Sequence, residues 1–156
     1  MKKMRKTFII AVCTMLLLSC SIGLFRENPR KTVARELGLD VDNGCIMRQM
    51  DTHGGFLGDG CSYIEIGFRD QGIEDQVKGN TSWKKMPLDD TARTLVELIQ
   101  DEDGNPLIPE CTHGYYIIMD WQDETDIPML DRYSFNYTVG LYDSDGRILH
   151  YGRFDT

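Results

Sequence analysis

The side chains best placed to do chemistry lie in the glycine-richest stretch of the chain, Asp51-Thr52-His53-Gly54-Gly55-Phe56-Leu57-Gly58-Asp59-Gly60. Asp51, His53, Phe56 and Asp59 there combine two carboxylates, an imidazole and an aromatic ring, a set suited to ligand contact. Glycine-rich loops can cradle an anion on backbone N–H groups, but phosphate loops join a strand to a helix and end in Gly-Lys-Ser or Gly-Lys-Thr. Here the flanking stretches read as two strands and no such ending follows, so an irregular hairpin tip is the plainer reading. His53, His113 and His150 could converge on a metal with Asp51 or Asp59, but no two of them are spaced i, i+4, and two precede glycine as turn ends do. Asp143-Ser144-Asp145-Gly146 matches the first half of a calcium loop without its closing glutamate. Asp120, Asp123, Glu124 and Asp126 form a second acidic group around Trp121. Either group could hold calcium weakly, and a solvated acidic turn is the simpler alternative. No serine sits in a Gly-x-Ser-x-Gly elbow and no Cys/His pair has a recognisable catalytic context. The pattern assigns no catalytic residue, no metal ligand and no cofactor.

The first 27 residues set the address. Lys2, Lys3, Arg5 and Lys6 precede the apolar run Phe8–Leu18, and Leu17-Leu18-Ser19-Cys20 ends it. A basic segment, a short apolar segment and a small residue before cysteine make a signal peptide. Leu17, Ser19 and Cys20 resemble the lipobox of bacterial lipoproteins; Leu18 stands where a smaller residue is more usual. The resemblance implies a diacylglyceryl group on the Cys20 thiol, cleavage after Ser19, and a domain held on the outer side of the cytoplasmic membrane. Two acyl chains suffice for stable anchoring. The alternative is an uncleaved anchor, because residues 8–25 are just long enough to cross a bilayer of roughly 30 Å. Both place the remainder of the chain outside.

Composition narrows the partners. The chain has 156 residues, enough for one domain beyond a leader. Without the leader's four basic residues, 13 Lys and Arg face 25 Asp and Glu, a net charge of −12. Such a surface repels nucleic acid and anionic headgroups, and suits a basic partner or a cation where it is not simply a device for solubility. Cys45, Cys61 and Cys111 remain after Cys13 and Cys20, so at most one disulfide can form. Small buried thiols are the default expectation, and no CxxC points to zinc.

The elements that must position these groups follow from periodicity. Asn28-Pro29 starts a helix, with Val33 and Leu37 on one face and Gly38 as its stop. Cys45–Met50 and Cys61–Arg69 read as strands, and Asp70 caps a short helix that buries Ile73 and Val77. Asp89 or Asp90 caps the strongest helix, whose stripe is Ala92, Leu95, Val96 and Ile99 and whose end falls near Gln100. Tyr115–Gln122 reads as a strand with Tyr115, Ile117, Met119 and Trp121 on one side. Tyr133, Phe135, Tyr137, Val139 and Leu141 alternate with Ser134, Asn136, Thr138 and Gly140, which predicts an antiparallel strand with one wet face. Phe135 and Val139 are expected inside, Asn136 and Thr138 outside. A turn at residues 143–146 leads into a last strand, Arg147–Phe154, and so a hairpin.

The expected fold is therefore a single α+β domain over residues 28–156. It comprises a mainly antiparallel sheet of about five strands with two or three short helices on one face. Residues 1–19 read as the signal peptide and 20–27 as the lipidated cysteine and its tether. Arg132–Thr156, with Asp51–Gly60, resembles parts of small lipoproteins of Gram-positive bacteria, which implies location and nothing about mechanism. The reading is a membrane-anchored extracytoplasmic domain that binds a ligand without catalysis, with Asp51, His53, Phe56, Asp59, Asn136 and Thr138 as contact candidates. One alternative is a small metal-dependent or hydrolase-like enzyme of the cell envelope built around His53 and Asp59. Another is an acidic protective or inhibitory protein that captures a basic partner.

Overall fold

A computed structural model describes residues 28–53, 59–122 and 126–156. Residues 1–27, which include Cys20, and Phe56 lie outside the described residues, as do Asp123 and Glu124. The elements run α1 (Pro29–Leu37), β1 (Cys45–Asp51), β2 (Gly60–Gly67), α2 (Gly72–Gly79), β3 (Lys84–Lys85), α3 (Asp90–Glu97), β4 (Gly114–Asp120), a 3-10 turn (Met129–Asp131), β5 (Asn136–Asp143) and β6 (Ile148–Asp155). The strands form one antiparallel sheet in the order β1-β2-β6-β5-β4-β3. This is the expected α+β class, with one more strand because the two-residue β3 pairs with β4.

Local signals act where they were read. Asn28 Oδ1 accepts from the Arg30 N–H at 3.1 Å. Gly38 ends α1 at φ +65°, a conformation open to glycine. Asp89 Oδ1 accepts from the Ala92 N–H at 2.8 Å, capping α3. Asp70 instead serves the turn before α2, accepting from Gly72 N–H at 3.0 Å, and Gln71 takes the cap position. β5 and β6 pair in full register from Asn136↔Asp155 to Asp143↔Ile148.

The helices cover both faces of the sheet, not one. Val33 and Leu37 of α1 and Ile73 and Val77 of α2 pack with Ile64, Ile66, Ile117, Leu149 and Tyr151 on one face. Ala92, Leu95 and Val96 of α3, with Ile99 just beyond it, pack with Tyr63, Tyr116, Tyr137, Val139 and Leu141 on the other. α3 stops at Glu97, short of the expected end near Gln100, where Gln100 bridges to Pro106. The central strand β5 is therefore buried on both sides, from Tyr137 to Tyr142. Its alternation between large apolar and small residues reflects room for a helix. A Cβ on Gly140 would meet Leu37 at 3.0 Å and Trp83 at 2.8 Å. The expected wet face is thus a second core face, and Thr138 is 0% exposed. Phe135 is only half-buried, and Tyr133 precedes the strand and is fully exposed. Strand pairing also fixes the neighbours of Asp51: β1–β2 pairing sets it beside Ser62, and β2–β6 pairing sets Ser62 beside Arg153.

Candidate functional site

The α1 face closes with a charge where its apolar packing ends. Val33, Glu36 and Leu37 occupy i, i+3, i+4, so the glutamate shares the buried side of α1. Its side chain is 5% exposed. One carboxylate oxygen accepts from the Tyr151 hydroxyl at 2.6 Å and from Thr138 Oγ1 at 2.9 Å. The other accepts from Arg153 Nη1 at 3.1 Å, with Arg35 Nη2 at 3.7 Å. A buried carboxylate is tolerated when its lone pairs are matched in this way. Burial, and then the glutamate's hydrogen bond, push the Tyr151 phenol well above its usual range, so it remains a donor.

Trp121 joins this cluster from the end of β4. Its Nε1–H donates to Thr138 Oγ1 at 2.9 Å and its backbone N–H to the Asn136 carbonyl at 2.9 Å, while the ring stays 44% exposed. Thr138 accepts from the indole and donates to Glu36, so one hydroxyl fixes both. Arg35, Glu36, Trp121 and Arg153 line an open cleft of about 420 Å³. Arg153 Nε also donates to Asp155 Oδ2 at 3.0 Å. Arg132, largely buried, pairs with Asp120 at 2.6 Å just before Trp121.

The polar chain continues to the predicted loop. Asp155 Oδ2 stands 3.6 Å from His53 Nε2, and His53 Nδ1 is 2.7 Å from Asp51 Oδ1. Ser62 Oγ approaches the same Nδ1 at 3.3 Å. In a serine–histidine–aspartate triad the acid and the nucleophile use opposite ring nitrogens. Here both meet one nitrogen, so Asp51 orients the imidazole and Ser62 is not activated. Asp59 is exposed. His53 is held by Asp51, one of the two partners its chemistry called for.

The other candidates separate. His113 is exposed and 2.9 Å from Asp145. His150 lies on the opposite face, 2.8 Å from the Tyr63 hydroxyl, where burial lowers its pKa. The three histidines therefore do not converge, and among the described residues no group of three His, Cys, Asp or Glu could hold a metal ion. In the 143–146 turn, Asp143 accepts from the N–H groups of Asp145 and Gly146 at 3.0 and 3.1 Å, so its carboxylate serves the turn. Asn136 is half-buried, beside Asp155 in the ladder; its Oδ1 is buried without a partner among the described residues. Thr138 was expected to touch ligand from a wet face; it is instead the buried hub behind Trp121.

Cys45, Cys61 and Cys111 are free. Burial pushes the Cys61 and Cys111 thiols up to about 11. Clefts also lie elsewhere on the domain, two of them near α3. One, about 440 Å³, surrounds the self-contained cluster Lys84–Asp89–Tyr116. The other, about 490 Å³, lies between α3 and residues 106–112 over Leu88, Val96 and Ile108. Neither joins an exposed aromatic face to fixed charges.

Sequence reasoning missed Glu36, Tyr151 and Arg153. The signal for Glu36 was its place on the Val33–Leu37 stripe; Tyr151 and Arg153 needed the register of β6 against β5 and β2. No described helix is long and apolar enough to cross a membrane. No family model, no curated protein and no solved structure matches this chain.

Proposed function

We propose that this protein is a lipid-anchored, extracytoplasmic binding domain whose contact surface is the cleft over Glu36 and Trp121. The observation that carries the proposal is an aromatic ring left half in water yet fixed through Thr138 to a buried carboxylate. An indole held at the surface offers a large, rigid contact area, and fixing it beforehand lowers the ordering cost of binding. The carboxylate oxygens of Glu36 are already engaged by three donors, and His53 Nδ1 is shared by Asp51 and Ser62. The engagement of Glu36 by three donors favours holding a ligand over transferring protons to it. The address rests on Leu17, Ser19 and Cys20 after a short apolar run.

The address is tested by growing cells with an alkyne fatty acid. Wild-type protein should carry the label and migrate at its processed mass; Cys20→Ala should lose both. Equal labelling and mass in the two would overturn the anchored reading. The cleft is tested by carboxyl and indole footprinting of the envelope-associated protein. Trp121 should be shielded in the envelope and reactive after purification.

A further inference from the structure

We infer that the Trp121 cleft binds a neutral saccharide, presented as a segment of a glycan chain; this deepens the reading of the cleft as the contact surface and depends on it. The first reason is the platform. The indole is 44% exposed while its Nε1–H is held by the fully buried Thr138. A sugar ring offers a face of C–H groups that packs on such a plane, and little motion remains to be lost from the protein side.

The second reason is charge. Among the described residues Arg35, Arg153 and Glu36 line the cleft and Asp155 pairs with Arg153 beside it, so both signs of charge are interlocked there at 3.7, 3.1 and 3.0 Å. An anionic ligand attracted by the guanidinium groups meets the carboxylates within a few ångströms, and a cationic ligand meets the reverse. A neutral ligand bears neither penalty. The surrounding domain, at −12 without its leader, weighs further against polyanions.

The third reason is a fixed donor. Arg153 is held through Nη1 by Glu36 and through Nε by Asp155. The second terminal nitrogen of Arg153, at the cleft wall, has no protein partner among the described residues. A sugar hydroxyl can accept from that nitrogen and still donate to a neighbouring hydroxyl or to water, which an alkyl chain cannot. The cleft, about 420 Å³ and open along one side, suits a chain laid across it.

The test uses the full chain purified in a detergent without a sugar headgroup. Trp83 is buried, so changes in tryptophan emission report on Trp121. Chitotetraose, cellotetraose and maltotetraose are titrated, beside inorganic phosphate and tetramethylammonium chloride. At least one tetrasaccharide should change the emission saturably, and the two ions should not. Calorimetric titration of that sugar should show about tenfold weaker binding in Trp121→Ala, the loss of roughly one aromatic contact. Arg35→Ala, a change at an exposed side chain, should weaken it several-fold. Trp121→Tyr should keep most of the affinity. If phosphate or tetramethylammonium saturates and no sugar does, the cleft stands as a contact surface and the saccharide assignment falls. If no probe acts on Trp121, both fall.

Discussion

Replacing Glu36 should destabilise the fold far more than replacing a surface carboxylate. The side chain is 5% exposed and accepts from Tyr151 at 2.6 Å, Thr138 at 2.9 Å and Arg153 at 3.1 Å. Glu36→Ala strands two hydroxyl groups in a closed site, and an unsatisfied buried donor costs about 1–3 kcal/mol. Arg153 adds little, because it is a third exposed and keeps Asp155 as a partner. Water entering the vacated space offsets part of the loss. The expected net cost is about 3 kcal/mol, read as a lower urea midpoint at unchanged slope. Glu36→Gln keeps the shape but points an amide N–H₂ at one set of donors, and should cost about half as much. In the double variant with Thr138→Val the costs should fall short of their sum, since the two residues share a bond. A Glu36→Ala cost below about 1 kcal/mol, the range of exposed substitutions, would refute the clasp and remove the fixed floor of the cleft.

Three further outcomes follow from the same packing. Burial lowers the His150 pKa, so the unfolded chain binds more protons near neutrality and stability should fall as pH drops below about 6.5. The slope from this group is at most about 1.4 kcal/mol per pH unit, and His150→Leu should flatten it in urea melts at pH 7.5 and 5.5. Gly140→Ala should cost about 1–3 kcal/mol in thermal unfolding, because its Cβ would meet Trp83 at 2.8 Å, Ile117 at 2.9 Å and Leu37 at 3.0 Å. Iodoacetamide at pH 8 should modify the exposed Cys45 well before Cys61 and Cys111, whose thiols sit near 11; peptide mass mapping over time checks the order.

What could be read from the sequence was what neighbours along the chain decide. The Asp89 cap, the α3 stripe of Ala92, Leu95 and Val96, the Gly38 stop and the 143–146 turn each depend on residues a few places apart, and each is found, while α3 ends at Glu97 and leaves Ile99 outside it. The faces of β5 depend on what packs over them, which alternation alone does not report. Thr138 and Gly140 read as a wet face because they are small or polar; they are small because α1 and Trp83 lie against them. Glycine in mid-strand was the available clue that another element comes close. The site divided in the same way. Asp51 beside His53 is a two-residue relation and was legible. Glu36 with Tyr151 and Arg153 spans over a hundred residues, and only the β2-β6-β5 order brings them together.

The central claim is that Trp121 is a contact surface, and its indole N–H reports this directly. The full chain, labelled with nitrogen-15 in a detergent without a sugar headgroup, has two indole signals, from Trp83 and Trp121. Soluble fragments of envelope glycan are added and both signals are followed, assigned through Trp121→Phe. The account predicts that the Trp121 signal moves saturably while that of the buried Trp83 stays in place. A stationary Trp121 signal, with shifts confined to the α3 groove or to the exposed strand β1, would contradict it.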